Sequence, residues 1–254
     1  MAAISRSALY ALQPHSFNHF VHVIPLDQFF SIYIYIMSRQ LALVAASASL
    51  AFAATIPVVP RGKGAGITPH EQYSSSVGVV GCKIDTNRVA YWPSAVDCND
   101  ICVKVTYKGR SLNILKIDTS GGAYDISYDA WNYLGFGQSA KDDPQTGGAI
   151  DMEYKVVDPS ECADIMDNGK LPLLAANSMD FLSSCLSQAD SFVAQNYVLY
   201  NIADPVCHYG IDEVCTLDLS VSNQPSCPSG LGSTAPLDEP VYNIQYGTGK
   251  EVIA

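Results

Sequence analysis

All eight cysteines of this chain, Cys82, Cys98, Cys102, Cys162, Cys185, Cys207, Cys215 and Cys227, lie downstream of a segment laid out like a secretory leader. An even set of cysteines behind such a leader fits a framework of up to four disulfides. That framework demands an oxidising compartment, so it constrains the location and the fold together. A metal site is the weaker reading of the same residues. Cys98 and Cys102 are the one close pair, and His70 and His208 are the only histidines beyond the leader. No metal and no cofactor are expected.

The leader starts at Met37-Ser38-Arg39-Gln40, continues as a small, apolar run over 41–54, and ends in Ala51-Phe52-Ala53-Ala54. A positive start, a short apolar stretch and small residues at the cut are the three parts of a signal peptide. The run is shorter than the ~20 residues that a membrane span needs. Arg39 also argues against one long anchor over 29–54, since a charge at the centre of a span costs ~2.5–3.5 kcal/mol. Residues 1–36 show no period and read as an extension upstream of a mis-called start, and 37–54 as the signal peptide. Arg6, Asp27 and Arg39 are the leader's charged residues, so their removal takes the net charge from −11 to −12. Nucleic acid and anionic membranes recruit cationic faces, so neither is an expected partner of the processed chain.

Residues 55–76 hold Pro57, Pro60, Gly62, Gly64, Gly66 and Pro69 ahead of Ser74-Ser75-Ser76, and read as a linker or propeptide. From residue 77 to 165 the chain reads as strands. Val77–Cys82 and Arg88–Trp92 are short β runs. Cys102–Tyr107 and Ser111–Ile117 alternate apolar and polar residues about Lys108-Gly109, which predicts a hairpin. Ser127 stands at an N-cap position, Asp129 lies in the first turn, and Gly135 ends a short helix. Alternation resumes over 149–157. Residues 166–229 read as a cysteine-containing extension with helices over 175–186 and 190–200, and 230–254 as a mobile tail in which Val241–Tyr246 could add an edge strand.

The order Cys98-x3-Cys102, strand, turn, strand, Ile117-Asp118, Gly121-Gly122, Tyr124-Asp125-Ile126-Ser127, helix, Gly147-Gly148, strand, Cys162 resembles a known pattern. It is that of barwin-type proteins, expansin N-terminal domains and related secreted wall proteins, over about residues 81–162. The resemblance implies a mainly β fold: a six-stranded double-psi β-barrel with a short helix, followed here by a disulfide-linked, partly helical extension. It also implies a fungal, wall-associated, extracellular protein. It further implies a Cys102–Cys162 bridge; beside it, Cys82–Cys98 is expected within the barrel, with the remaining four cysteines pairing among themselves.

In this family an Asp at the position of Asp125 faces a polysaccharide groove, where a carboxylate raised by burial acts as an acid. Asp125 is therefore the foremost site residue, with Asp118 second; their bland alternatives are a helix cap and a turn-former. Tyr91, Trp92, Tyr124 and Tyr128 are the expected sugar platform, with Trp92 at the surface and Trp131 in the core. The pattern is incomplete in three respects. Asp85 and Asp97 are the nearest early carboxylates and neither sits in a convincing motif, Thr119-Ser120 replaces a family cysteine, and the second expansin domain is missing. These departures favour a monomer that binds or loosens chitin, cellulose or β-glucan without hydrolysis. The alternatives are a hydrolase or lytic transglycosylase with Asp125 as acid, and an effector that uses the barrel as an interaction scaffold.

The mature chain should begin at Ala54 or Thr55. N-terminal sequencing of secreted protein checks this, and a start inside 2–36 would contradict it.

Overall fold

The computed structural model describes residues 62–254, so the leader and its cleavage point lie outside the described residues. Strands β1 (Lys63–His70), β2 (Val89–Trp92), β3 (Cys102–Tyr107), β4 (Arg110–Thr119), β5 (Tyr124–Ser127) and β6 (Ile150–Val156) close a barrel in the order β1-β5-β2-β4-β3-β6. The pairs β1–β5 and β2–β4 run parallel and the other four antiparallel. The six-stranded barrel expected from the sequence is thus present. Its β3–β4 hairpin turns on Lys108 and Gly109, with φ of 44° and 82°. A two-residue loop with both φ positive matches the twist of the strands it joins.

β1 corrects the reading of 55–76 as linker. Its residues 63–67 pair with β6 and 67–70 with β5, so it is the stave that closes the barrel. The glycines that made it look like a linker are there for closeness. A Cβ on Gly62 would stand 2.9 Å from the Tyr154 carbonyl oxygen, and one on Gly66 would stand 3.2 Å from the Ala149 Cβ. The expected strand at 77–82 is instead an isolated bridge, Val79 to Leu173, followed by a 3₁₀ turn over Gly81–Lys83.

Alternation along the staves makes two cores. Ile67, Ala90, Trp92, Val103, Val105, Ile114, Ile126 and Met152 fill the barrel, joined by Trp131 and Leu134 of helix α1 (Tyr128–Phe136). Val89, Tyr91, Leu115 and Ile117 belong to the second core, on the other side of β2 and β4. There they meet Leu171 and Leu173 of β7 (Leu171–Leu174), Leu199 and Ile202 of β8 (Tyr197–Ile202), Leu182 of α2 (Met179–Leu186) and Val193 of α3 (Phe192–Gln195). β7, β8 and β9 (Gly210–Cys215) form a second sheet. The long helix expected over 190–200 gives way to the short α3 and to β8. Tyr197-Val-Leu-Tyr-Asn-Ile202 is rich in β-branched and aromatic residues, and a parallel partner, β7, is at hand.

The disulfides follow the shared core. Cys102–Cys162 forms as the resemblance implied. Cys82 pairs with Cys207 and Cys98 with Cys185, so two bridges cross between the halves, and Cys215–Cys227 closes a small local loop. The expected Cys82–Cys98 bridge, and the confinement of the last four cysteines to one another, are both wrong. The tail reading fails too. β10 (Tyr242–Ile244) and β11 (Glu251–Ile253) make a ribbon, with Val241 buried in the second core and Ile244 at the barrel core. Gly249, at φ 69°, lies so near Ala140 that a Cβ would fall 2.3 Å from its carbonyl oxygen.

In the chain-entropy model a bridge closing ~90 residues stabilises by roughly 4–5 kcal/mol and one closing ~12 by about 3. The double variant Cys98→Ser/Cys185→Ser should therefore lose more stability than Cys215→Ser/Cys227→Ser. Urea denaturation of the two variants checks the order.

Candidate functional site

Register, more than sequence proximity, assembles the expected site residues. Across the adjacent strands β1, β5, β2 and β4, Thr68 is the partner of Asp125, Asp125 of Tyr91, and Tyr91 of Asp118. Paired residues on neighbouring strands project to the same face. The row lies outside the barrel, because the next residues, Ile67, Ile126 and Trp92, pack within it. Two half-buried carboxylates therefore flank a tyrosine that is only 4% exposed.

Each member of the row is held differently. The Thr68 hydroxyl donates to Asp125 Oδ1, while Asp125 Oδ2 has no protein partner among the described residues. Both oxygens of Asp118 are engaged: Oδ2 accepts from the Ser74 hydroxyl at 2.7 Å and Oδ1 from the Thr119 amide at 2.7 Å. The turn that follows is bonded by Ser120, whose hydroxyl donates to the Ala123 carbonyl and accepts the Gly122 amide, and not by Asp118. The Tyr91 hydroxyl donates to the Gln72 carbonyl at 3.0 Å, and its ring lies 4.1 Å from that of His70. Burial, chiefly, pushes the Tyr91 phenol well above its ordinary range.

The other aromatics go elsewhere, and Trp92 corrects the sequence reading. It is 4% exposed and packs inward, edge-on to Tyr124 at 4.9 Å and to Tyr154 at 5.1 Å. Tyr124 and Tyr154 are half-buried, and their rings are 5.3 Å apart. The Tyr154 hydroxyl donates to that of Tyr124 at 3.3 Å, which favours the neutral phenol and, with burial, pushes it up to about 12. Tyr128 is 2% exposed and belongs to α1. Its hydroxyl donates to the Gln145 carbonyl at 2.7 Å and accepts the Gly247 amide at 3.2 Å, and its ring packs on Tyr246. Tyr91, Trp92, Tyr124 and Tyr128 therefore form no single coplanar platform. Trp131 is fully buried, as expected, with its indole N–H donating to the Ile67 carbonyl.

The remaining carboxylates near the row are structural. Asp85 accepts from the Asn87 amide and Asp97 from those of Asn99 and Asp100, both as local turn-formers. Ser127 is the N-cap residue of α1, but its hydroxyl donates to the Asn87 carbonyl rather than into the helix. Asp129 does the anchoring: its carboxylate takes Arg88 at 2.9 Å, the Ser139 hydroxyl at 2.5 Å and the Ala140 amide at 2.8 Å. Burial alone would raise Asp129, but these donors outweigh it and hold the carboxyl below its usual range. No cluster of His, Cys, Asp and Glu among the described residues could hold a metal ion. All eight cysteines are paired.

Residues 65–165 match the Cerato-platanin family model. That span runs from β1 through the 3₁₀ turn carrying Cys162, so it covers the barrel and leaves the second sheet and the ribbon outside. Cerato-platanins have a double-psi barrel related to that of expansins, so the resemblance seen in the sequence holds for this part of the chain. The chain is similar to cerato-platanin 3 from M. perniciosa at 16% identity over 39% of this chain and 98% of that one, with a TM-score of 0.30. It is similar to cerato-platanin 2 from M. perniciosa at 17% identity over 37% and 94%, TM-score 0.28. For the solution structure of the fungal elicitor Cerato-Platanin the figures are 20% over 38% and 95%, TM-score 0.27. None of the curated proteins matches this chain.

Sequence reasoning missed Thr68, which lay in the supposed linker. It also missed Tyr154, although its spacing from Met152 marked both for one face of β6. Tyr154 should titrate near pH 12. Because its folded-state value is raised, the stability it contributes is complete below the unfolded phenol value of ~10 and is lost as pH climbs towards 12. The check is an alkaline absorbance titration of wild type minus Tyr154→Phe; Tyr124→Phe should shift that tyrosine back towards ~10.

Proposed function

We propose that the cerato-platanin-like barrel is a secreted, non-hydrolytic binder of cell-wall polysaccharide, and that Asp125 is its principal contact. One observation carries this reading: Asp125 Oδ1 holds the Thr68 hydroxyl while Oδ2 is left with no protein donor. A sugar hydroxyl is the same kind of donor as the threonine beside it. A half-buried carboxylate that is fixed on one oxygen and open on the other is pre-set to accept one. The four disulfides fit an oxidising, extracellular setting. Chitin, cellulose and β-glucan all offer hydroxyls of this kind. In this reading Tyr91 supports the site from beneath it, while Tyr124, next to Asp125 along β5, points to the barrel core and Tyr128 is held by Gln145 and the ribbon.

A hydrolytic reading has one observation in its favour. Asp118 and Asp125 sit two strands apart, on either side of Tyr91, a spacing of roughly 10 Å between backbones. Inverting glycosidases hold their acid and base carboxyls about 6.5–9.5 Å apart. The contacts of Asp118 count against a catalytic role, since Ser74 and Thr119 already occupy both of its oxygens.

Asp125→Asn should weaken binding to the recognised polysaccharide by ~1–3 kcal/mol, the worth of one charged hydrogen bond, with the melting temperature unchanged. Pull-down against chitin, cellulose and β-glucan, together with product analysis, checks it. Unchanged binding with lost stability would make Asp125 structural. Soluble products that disappear in Asp125→Asn would make the barrel an enzyme.

A further inference from the structure

Between β9 and β10 the chain runs from Thr216 to Val241 with no helix or strand, tied down by Cys215–Cys227 and by the bridges Thr216–Ser226 and Tyr209–Pro236. This stretch lies outside the family match. It holds Ser220, Ser222, Ser226, Ser229, Ser233 and Thr234 among Pro225, Pro228 and Pro236, and almost all of it is exposed. Leu219 and Val221 stand in water here, the latter 81% exposed. Exposed segments rich in hydroxyls and proline pack no core, and in chains that pass through a secretory pathway such segments carry O-linked sugars.

The hydroxyls of this loop are not equivalent. Ser220 donates to Asp218 at 2.6 Å and Ser229 to Glu213 at 2.8 Å, so both protons are held by carboxylates. Ser222 and Ser233 only accept backbone amides, from Gln224 and Ala235, and keep their O–H free. Ser226 and Thr234 make no side-chain hydrogen bond, and both are exposed. The serines before the second core offer a contrast: Ser74 and Ser75 donate to Asp118 and to the Ile117 carbonyl.

We propose that the 216–238 loop is a site of O-glycosylation whose foremost acceptors are Ser226 and Thr234, with Ser222 and Ser233 available and Ser220 and Ser229 left bare. The donor is a sugar carried on a lipid- or nucleotide-linked phosphate. The Ser226 or Thr234 oxygen bonds to the anomeric carbon, the bond from that carbon to the phosphate oxygen breaks, and the phosphate leaves with the electron pair. The hydroxyl proton passes to a base of the transferase. An acceptor must therefore bring a reachable oxygen whose proton is not already engaged, and Ser226 and Thr234 do.

The test is intact-mass analysis of the full chain secreted from a fungal host, before and after O-deglycosylation, with electron-transfer fragmentation to map the sites. The expected result is a ladder of hexose or N-acetylhexosamine steps that collapses on deglycosylation. The sugar maps to Ser226 and Thr234, Ser220 and Ser229 are unmodified, and the double variant Ser226→Ala/Thr234→Ala shortens the ladder at an unchanged melting temperature. A single mass equal to that of the bare disulfide-bonded polypeptide overturns the proposal. So does a ladder whose sugars omit both Ser226 and Thr234, or one that maps to Ser220 or Ser229.

Discussion

β2 and the middle of β4 are buried on both faces, and the rest of the molecule is arranged around that fact. Val89, Ala90, Tyr91 and Trp92 are all buried, as are Ile114, Leu115, Lys116 and Ile117. One face of each strand fills the barrel, and the other can leave water only if something covers it. The second sheet with α2 and α3 is that cover. Burying a Leu- or Ile-sized side chain is worth about 1.5–3 kcal/mol, so leaving Val89, Leu115 and Ile117 bare would be a large loss for a marginally stable domain. The barrel and the extension therefore share one hydrophobic requirement. The Cys82–Cys207 and Cys98–Cys185 bridges fasten the two sides of that contact.

Lys116 shows how costly this double burial is. It is 3% exposed, and burial pushes its ammonium below the ordinary lysine range. Its Nζ donates to the Asp100 carbonyl at 2.8 Å. A cation taken from water must find donor-acceptor partners at once, and here a backbone carbonyl supplies one. Lys83 solves the same problem with charge. It is nearly buried, and Asp212 of β9 and Glu239 of the segment before β10 hold it at 2.7 and 3.3 Å.

The same packing shapes the functional face. Tyr91 is drawn under the cover, so the row from Thr68 to Asp118 offers carboxylates to solvent on either side of a sunken ring, not an aromatic shelf. Trp92 is drawn the opposite way, into the barrel. The ribbon adds its own constraint, because Gly247 and Tyr246 occupy the hydroxyl and ring of Tyr128 and Tyr246 also bonds Gly147. Of the aromatic residues that the sequence offered, Tyr124 is the one left half in water, and it stands on the barrel side of β5, away from Asp125.

The sequence by itself determined the staves with strong local patterns: the β3–β4 hairpin with its two-residue turn, the helix after Ser127, β6, and the bridge Cys102–Cys162 through its likeness to a known barrel. It determined Trp131 as core, and it put Asp125 and Asp118 at strand ends where a site could form. Local signals of this kind depend on a few neighbouring residues and survive without knowledge of the fold. The tertiary structure alone decided the remainder. β1 hides behind glycines that exist to let strands approach, β8 takes its conformation from β7 beside it, and the strand allowed at 241–246 is fixed by its pairing with β11 and its packing on both cores. That Tyr91 turns to the second core and Trp92 into the barrel, and that Cys82 meets Cys207 and Cys98 meets Cys185, was settled by packing in the two cores. Those two bridges join residues 125 and 87 positions apart, and chain order carries no record of them.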